Sequence, residues 1–455
     1  MSRQAGESEL VHIAFDDTDS RLGRCTTHLA FKITGRLRAM GVKLVDYPLL
    51  IRLNPNIPWK TRGNGAVCIR VRTKDPDKVV DFVRQSVEEG SAIGAGANPA
   101  VAFLCGKIPP SLAKFSSIAM FDVLSRQKAE KVAKENGIEY FTFGNGQGLV
   151  GSLGAMGCLL ESGDYTFELI SYRRPENCGT PRIVDRNRVI ECHGAFPDTF
   201  NSYDEKNKRV LIAPHGPDPV FCGIRGEDPD SILSAFSMLQ PEERLDGYMV
   251  FRSNQGTNMH LQNLLKLNES KVYTAGYVRC RVKEKPQAMQ GGHVLFAVED
   301  GSGSMLAAVY EPTGLAKIAA SLDTGDIIEI GCGIRKPTVK HPKVLNVEYI
   351  RILELACIFD VLNPVCKICG KRMKSEGKNK GFQCDRCKYR DIAATKVYLP
   401  KRRSIEPGLY LPVPKAHRHL TKPLQRYGKE KSGFRFSGLC RDWFGSGNFQ
   451  ASFGN

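Results

Sequence analysis

At 455 residues the chain is long enough to form two to four domains, each with its own hydrophobic core. Hydrophobic residues make up 42% of the chain and charged residues 25%, which is ordinary globular usage and argues against a disordered or fibrous protein. The formal net charge of +17 argues against a polycationic partner and favours an anionic one.

The first part of the sequence predicts an α/β or α+β arrangement. Residues 10–15 form a short apolar run typical of a buried strand, and 25–40 carry apolar residues at the four-residue spacing of an amphipathic helix. The same criteria predict further strands at 44–53, 66–71 and 100–104, and helices at 77–89 and 121–136.

The next part predicts a small α+β module followed by a β-barrel. The module has predicted strands at 165–172, 182–191, 209–213 and 249–251, with one helix at 229–238. Beyond it, five predicted strands and one helix occupy 272–282, 293–299, 305–310, 314–321 (the helix), 327–332 and 344–353. This order is typical of an OB barrel, although any small antiparallel barrel gives a similar pattern.

An acidic loop, Asp16-Asp17-Thr18-Asp19, stands where the first strand gives way to the first helix. Three carboxylates in four residues repel one another unless a cation offsets them, and Mg²⁺ is the candidate that best suits carboxylates and phosphates. If the segment is extended, Asp17 and Asp19 share one side, and Asp16 and Thr18 the other. A threonine hydroxyl beside a carboxylate can accept a phosphoryl group. The alternative is a helix-capping cluster.

Two glycine-rich loops are candidate phosphate cradles, because exposed backbone N–H groups bind anions. The first carries two cations and spans 58–65, with candidate residues Lys60, Arg62, Gly63, Asn64 and Gly65. The second spans 144–151, with candidates Gly144, Asn145, Gly146 and Gly148. Neither matches a P-loop or a dinucleotide fingerprint, so an ordinary turn remains the alternative for each.

The pattern Cys366-X2-Cys369-X14-Cys384-X2-Cys387 predicts a structural zinc ribbon, since each pair forms a knuckle and together they supply four thiolates. Reduced thiols fit a cytoplasmic protein, and we expect that location. The sequence has no apolar run of about eighteen residues and no apolar signal core at its start, so no membrane is expected as a partner.

Most of the excess positive charge lies in 366–431, which holds 19 Lys or Arg against 5 Asp or Glu, a net +14. Such a stretch suits a phosphate backbone, and a solvated basic face is the alternative. His417 and His419 fall in it and are interpreted as polar surface residues rather than metal ligands. The glycine- and phenylalanine-rich tail, 432–455, is predicted to be a flexible or interaction segment of unknown role.

Several of these strings together resemble the archaeal tRNA-isoleucine 2-agmatinylcytidine synthetases. They are His12-Ile-Ala-Phe-Asp-Asp-Thr-Asp-Ser20, Leu53-Asn-Pro-Asn-Ile-Pro-Trp-Lys-Thr-Arg-Gly-Asn-Gly65, Gly144-Asn-Gly-Gln-Gly-Leu-Val-Gly151, His215-Gly-Pro-Asp-Pro219 and Phe251-Arg-Ser-Asn-Gln-Gly256. The resemblance covers residues 11 to 431.

The resemblance implies a multidomain α+β fold. It consists of an ATP-binding, kinase-like α/β catalytic domain at 1–160, a ferredoxin-like α+β domain at 161–265, an OB-fold nucleic-acid-binding domain at 266–358, and a zinc ribbon with a basic tRNA-binding segment at 359–431. It also implies an ATP-dependent ligase, consuming ATP to AMP and phosphate, that attaches agmatine to C2 of the wobble cytidine in the isoleucine tRNA with a CAU anticodon. The product reads AUA. No obligate protein partner is implied.

The site residues that the resemblance implies follow the motifs. Thr18 corresponds to an autophosphorylated threonine, and Asp16, Asp17 and Asp19 are both catalytic and Mg²⁺ ligands, with Ser20 beside them at the ATP phosphates. Asp218 is the candidate for the agmatine guanidinium. The tRNA-binding candidates are Lys401, Arg402, Arg403, Arg418 and Arg426. The alternative is a non-enzymatic single-strand nucleic-acid-binding protein with an OB fold and a zinc ribbon.

Overall fold

The computed structural model describes residues 8–61, 63–339, 342–433 and 437–449. Arg62 is therefore a predicted site residue that lies outside the described residues, as does the end of the tail beyond 449.

The N-terminal half is a sheet covered by helices on both faces. Along its central strand, Val11, Ile13 and Phe15 are buried in one core and Ala14 in the other, so both faces need cover. Two helices cover one face and three the other. The elements are β1 (Glu9–Asp16), α1 (Thr26–Ala39), β2 (Lys43–Leu44), β3 (Leu49–Arg52), β4 (Gly65–Thr73), α2 (Pro76–Gly90), β5 (Ala100–Cys105), α3 (Pro110–Ala119), α4 (Arg126–Glu135), β6 (Glu139–Thr142) and α5 (Gly148–Gly157).

Several features of this half differ from the sequence predictions, and helix α3 and strand β6 were not predicted. The predicted strand at 44–53 is split into β2 and β3. The predicted helix at 121–136 begins at Arg126, because the side chain of Ser125 caps it by accepting from the N–H of Lys128. Helix α5 was missed: four glycines mask its helical pattern.

The following module has the strand order of a ferredoxin-like fold. Its elements are β7 (Thr166–Arg173), α6 (Arg186–Ala195), β8 (Thr199–Phe200), β9 (Tyr203–Asp204), β10 (Arg209–Val210), β11 (Val220–Gly226), α7 (Pro229–Leu239) and β12 (Leu245–Ser253). In space the order is β12, β7, β11, β8. The predicted strand at 182–191 was wrong, because Asp185 caps a helix there and Val189 and Cys192 form its buried stripe.

The N-terminal half and the ferredoxin-like module share one sheet of eleven strands. The join is a parallel pairing of β3 with β12, in which Arg252 lies opposite Leu49. The buried carboxylate of Asp46 stands at this join and contacts the guanidinium groups of both Arg70 and Arg252.

A closed five-stranded barrel follows, and it confirms the predicted OB fold. Its elements are β13 (Ala275–Val282), β14 (Gln287–Ala288), β15 (Val294–Glu299), β16 (Ser304–Val309), α8 (Ala316–Ala320), β17 (Ile327–Arg335) and β18 (Val344–Glu354). Strand β13 pairs with both β17 and β15, which closes the ring β13, β17, β18, β16, β15. Helix α8 lies between the third and fourth barrel strands, as OB folds require.

The remaining chain leaves the barrel and returns to it. Its strands are β19 (Phe359–Leu362), β20 (Lys374–Ser375), β21 (Phe382–Gln383), β22 (Arg390–Asp391), β23 (Val397–Pro400), β24 (Gly408–Tyr410) and β25 (Phe444–Phe449). Strands β20 to β22 form the ribbon, and β24 rejoins the barrel at β18. The multidomain α+β fold predicted from the sequence is thus confirmed. Among the described residues, none of the helices has the length and apolar character needed to cross a membrane.

The tail is more ordered than predicted, because β25 pairs with the part of β12 that does not pair with β3. Trp443, 5% exposed, packs edge-on against Tyr47, whose hydroxyl accepts the N–H of Cys440 at 2.9 Å. Phe444 stacks on Phe31 of α1. The tail therefore stabilises the seam between the two halves of the large sheet.

This packing predicts that Trp443→Ala lowers the free energy of unfolding by about 3 kcal/mol, the usual cost of truncating a buried tryptophan. Thermal and denaturant unfolding followed by circular dichroism measures it. The matched control is Trp59→Ala, since Trp59 is 55% exposed and its loss should change stability by less than about 1 kcal/mol. Equal losses in the two variants would contradict a structural role for the tail.

Candidate functional site

A cavity of about 410 Å³ lies between the N-terminal half and the ferredoxin-like module. One wall is the acidic loop after β1 and the start of α5, and the opposite wall is formed by β7, β11 and the 211–218 segment. Such a crevice at the end of central strands is a usual position for ligands in α/β sheets. The cavity volume falls in the range of small-molecule sites.

Three carboxylates of the acidic loop, those of Asp16, Asp17 and Asp19, line the cavity. Burial, followed by repulsion from Asp17, raises the pKa of Asp16 well above its usual value. Burial also raises the pKa of Asp17 to about 6. Asp19 accepts a hydrogen bond from the Thr61 hydroxyl at 3.0 Å, which ties the acidic loop to the 58–65 loop.

The predicted alternation of side chains along the acidic loop was wrong. Asp17 has a φ of 56°, in the left-handed region, so the segment turns rather than extends. Consequently Asp16, Asp17 and Asp19 all line the cavity, whereas Thr18 does not. Thr18 is 1% exposed and its hydroxyl donates to Thr26 at 3.0 Å.

The second glycine-rich loop packs directly against the acidic loop. A Cβ atom at Gly151 would lie 1.8 Å from Asp16 Oδ2, so only glycine permits the close approach of α5. The backbone N–H of Gly148 donates to Asn98 O at 3.0 Å, and that of Asn98 donates to Asp17 Oδ2 at 3.3 Å.

Only part of that loop reaches the cavity. Gly148 lines it, and Gln147 does so as well, whereas Gly144, Asn145 and Gly146 are not among the lining residues. Asn145 instead donates its N–H to the Asn98 side chain at 2.9 Å. Three of the four predicted phosphate ligands thus serve as a turn that supports the loop.

The first glycine-rich loop contributes Lys60, Gly63, Asn64 and Gly65 to the cavity wall. Lys60 donates to Ile57 O at 3.1 Å, and burial, followed by the charge of Arg418, lowers its pKa. The Asn64 side chain donates a hydrogen bond to Asn54 O at 2.7 Å. Ser20 is outside the cavity lining, and its hydroxyl accepts from the N–H of Leu22.

The opposite wall carries Asp218 together with charges that the sequence analysis missed. Asp218, 3% exposed, accepts from the N–H of Val220 at 3.1 Å and from Arg182 at 3.3 Å. Glu168 accepts from Arg225 at 2.9 Å, and Arg52 lies 3.9 Å from it. One sequence feature could have indicated these residues: Glu168 is a lone charge inside the apolar strand β7, and a buried charge needs charged partners nearby.

The two histidines predicted to lie on the surface are packed inside. His419 lines the cavity, and its Nδ1 lies 2.9 Å from Gln255 Oε1. Burial, followed by the charge of Arg52, lowers the pKa of His419 well below its usual value, so the ring is neutral. His417 lies between Asn201 and Pro412 O, at 3.0 and 2.9 Å.

The predicted tRNA-binding residues fall into three groups. Lys401 and Arg402 are exposed beside β23. Arg418 is half-buried and bridges Glu348, at 3.0 Å, and Asn56, at 2.8 Å. Arg403 and Arg426 require correction: Arg403 clamps the buried Asp326 at 2.7 Å, and Arg426 is 0% exposed.

Arg426 is enclosed by the carboxylates of Asp164 and Glu227, at 2.9 and 2.5 Å. A fully buried guanidinium with two carboxylate partners cannot also contact a phosphate at the surface. Its role is structural: it fixes the returning C-terminal segment to the ferredoxin-like module.

The four predicted zinc ligands come together in the ribbon. The Sγ atoms of Cys366, Cys369, Cys384 and Cys387 all lie within 4.8 Å of one another, as a tetrahedral Zn²⁺ site requires. Hydrogen bonds from backbone N–H groups, that of Cys387 first, lower the pKa of Cys384 to about 6, which favours the thiolate. The donor set fits a structural zinc ion.

Comparison with known families gives matches to three family models. Residues 12–145 match the TiaS TCKD domain, 146–260 the TiaS FLD domain, and 363–405 the TiaS C-terminal zinc ribbon domain.

Similar proteins cover nearly the whole chain. The tRNA-isoleucine 2-agmatinylcytidine synthetase TiaS of Cenarchaeum symbiosum is 43% identical over 435 residues, which are 96% of each chain. That of Staphylothermus marinus is 38% identical over 437 residues, 93% of this chain and 95% of the relative. A crystal structure of TiaS in complex with an isoleucine tRNA and ATP superposes with a TM-score of 0.83 at 35% identity, covering 95% of this chain and 99% of the other.

A second solved structure, of TiaS in complex with an isoleucine tRNA, AMPCPP and agmatine, has a TM-score of 0.80 at 34% identity. It covers 92% of this chain and 97% of the other.

The ribbon geometry predicts one Zn²⁺ per chain, and Cys384→Ser should reduce the metal content to well below one, because a structural site needs all four thiolates. Elemental analysis of purified protein measures the ratio. The exposed thiol of Cys357 lies outside the cluster, so Cys357→Ser is the control and should keep one zinc. Full zinc content in Cys384→Ser would exclude the site.

The raised pKa of Asp17 predicts a pH-dependent stability difference. The folded chain disfavours an ionised Asp17 more than the unfolded chain does. The free energy of unfolding therefore falls as pH rises from about 4 to about 6, and the loss is complete above that. Without added divalent cations, Asp17→Asn should melt several degrees above the natural chain at about pH 8 and close to it at about pH 4. The exposed Glu88→Gln is the control. A pH-independent difference would disprove the penalty.

Proposed function

This chain belongs to the TiaS family of tRNA-isoleucine 2-agmatinylcytidine synthetases, and from that membership we propose that it uses ATP to join agmatine to C2 of the wobble cytidine in the CAU-anticodon isoleucine tRNA. It is an enzyme of tRNA modification. The observation that carries the proposal is a single cavity with three carboxylates on one wall and the buried Asp218 on the other. One wall suits a metal-bound polyphosphate and the other a guanidinium.

The acidic wall fits Mg²⁺. Asp16, Asp17 and Asp19 supply oxygen ligands, and the raised pKa values of Asp16 and Asp17 reflect burial first and then repulsion from the neighbouring carboxylates. A bound Mg²⁺ would offset that repulsion and neutralise phosphate oxygens. Lys60, Gly63 and Gly65, with the backbone of Gly148, line the space beside these carboxylates and are the proposed phosphate contacts.

The chemistry needs a better leaving group than the C2 oxygen of cytosine. Transfer of the γ-phosphoryl group from ATP forms an O2–P bond while the bond from the γ-phosphorus to its bridging oxygen breaks and ADP leaves. Hydrolysis of the β-phosphoryl group of that ADP by water then gives AMP and a second phosphate. The primary amine of agmatine then attacks C2, the C2–O2 bond breaks, inorganic phosphate leaves with the oxygen, and the amine loses a proton. The protein contributes positioning and charge neutralisation.

Thr18 is proposed as a phosphoryl acceptor on the strength of its position in the acidic loop. Its hydroxyl donates to Thr26, which lines the cavity, whereas Thr18 itself is outside the lining, so acceptance requires this hydrogen bond to break. Phosphorylation at Thr18 would place added negative charge next to the three aspartates, in reach of the same Mg²⁺.

Asp218 is the proposed partner of the agmatine guanidinium. Carboxylates bind guanidinium groups bidentately, and Asp218 is fixed by Val220 N–H and Arg182 before any ligand arrives. Glu168 is the other acid on this wall, but its two oxygens are taken by Arg225 and Gln255.

We propose domain borders at 160, 265, 358 and 431. The packing of α5 supports the first of them, since Leu149 and Leu153 lie in the core of the N-terminal sheet. Lys401 and Arg402, exposed beside the ribbon, and Arg418 remain the proposed tRNA contacts.

The decisive measurement is nucleoside mass spectrometry of CAU-anticodon isoleucine tRNA incubated with the protein, ATP, Mg²⁺ and agmatine. We expect a cytidine heavier by agmatine minus water, and its loss when any one component is omitted. Asp16→Asn should lower the rate at least about 100-fold, because charge compensation at the phosphate is lost.

The matched variants are Thr18→Ala and Thr18→Ser, of which only the second keeps a hydroxyl. Normal modification by Thr18→Ala would remove Thr18 from the chemistry. Zinc-loaded protein that binds the tRNA and yields no mass change would favour the alternative, a non-enzymatic nucleic-acid-binding protein.

A further inference from the structure

A second cleft, of about 560 Å³, adjoins the catalytic cavity and has a different electrostatic character. The two share part of one wall, which includes Lys60 and Arg225, but none of the three loop aspartates lines the second cleft. Its cations come from Arg52 of β3, the 58–65 loop, the ferredoxin-like module and the segment that follows the ribbon.

The charges of this cleft have one sign. Arg209, Lys415 and Arg418 line it together with the shared cations, and no Asp or Glu is found among the lining residues in the described parts of the chain. Arg225 and Arg418 have carboxylate partners behind the wall, Glu168 and Glu348.

Three cations have no carboxylate within ion-pair distance in the described structure: Lys60, Arg209 and Lys415. Lys60 donates to a backbone carbonyl, Arg209 contacts the ring nitrogen of His215 at 2.9 Å, and Lys415 donates to Asn207 Oδ1 at 2.8 Å. None of these three partners is a carboxylate. The positive charges therefore repel one another across a concave surface, and a bound anion would relieve that repulsion.

From this arrangement we propose that the basic cleft is a phosphate-binding site, and that it takes the backbone of the RNA strand that delivers the reacting base to the adjoining cavity. The identification of the ligand as RNA rests on the proposed function. A strand crossing the cleft would pass Arg209 and Lys415 first and reach the cavity at Lys60. This order keeps the strand's phosphates away from the acidic loop, whose carboxylates repel phosphates where no cation intervenes.

The test is the double variant Arg209→Ala/Lys415→Ala, whose side chains are exposed. Lys415 holds the buried Asp204 through its backbone N–H, which alanine keeps. Fluorescence anisotropy with the CAU-anticodon tRNA should show binding weakened by about 10- to 30-fold near 0.1 M salt. The slope of log K against log salt should fall by about 1.4, which is two phosphate contacts on a single strand. Calorimetric titration with ATP should give an unchanged affinity.

The matched control is Lys206→Ala. This exposed lysine lies on the turn before Arg209 but outside the cleft, and its removal should leave affinity and salt slope close to those of the natural chain. A double variant that binds tRNA as tightly as this control would overturn the site. Weakened ATP binding with unchanged tRNA binding would overturn the assignment to RNA, because the cleft would then hold the nucleotide's phosphates.

Neither the tRNA-binding nor the ATP-binding measurement depends on the ligation reaction. The proposed function and the proposed cleft can therefore be refuted independently. A natural chain that binds tRNA through the cleft, with the expected salt slope, but never forms the modified cytidine would refute the proposed function alone. A double variant with unchanged tRNA binding would refute the cleft alone, whatever the natural chain catalyses.

Discussion

The large sheet depends on one buried carboxylate. Asp46 is 0% exposed and is contacted by Arg70 from the N-terminal half and by Arg252 from the ferredoxin-like module. A buried charge without partners costs several kcal/mol, so the two guanidinium groups must stay where Asp46 can reach them. This fixes β12 beside β3, and with it the distance between the two walls of the catalytic cavity. The tail strand β25 reinforces the same seam by occupying the rest of the β12 edge.

The OB barrel also takes part in forming the site, because the 54–61 loop is docked onto it. The Asn54 side chain donates to Tyr273 O at 2.8 Å, and Asn56 lies so close to Gly333 that a Cβ there would be 2.3 Å from its amide. Arg418 links Asn56 to Glu348 of the barrel. Since the same loop presents Lys60 to the cavity and binds Asp19 through Thr61, the barrel also positions groups beside the acidic loop.

Much of the local structure could be predicted, and the errors have physical causes. The apolar runs of β1, β4 and β5 and the five barrel strands follow side-chain periodicity, which is a property of neighbouring residues. Residues 182–191 were misassigned as a strand because a capped helix with only two buried residues, Val189 and Cys192, has a weak stripe. The tail was predicted to be a flexible or interaction segment, and its strand could not be foreseen because it pairs with the edge of β12, which lies far earlier in the chain.

For the site, the sequence by itself determined the zinc ligands and the acidic loop, since each is a short pattern whose chemistry needs only its own residues. Tertiary structure decided the rest. It buried Thr18 beneath the cavity-lining residue Thr26, and it buried Arg426 between Asp164 and Glu227. It also brought Glu168, Arg225 and His419 to the walls. These placements depend on pairings between residues far apart in the chain. A charged side chain that is already held in a buried ion pair cannot bind a ligand, and only the tertiary structure shows which side chains are held in this way.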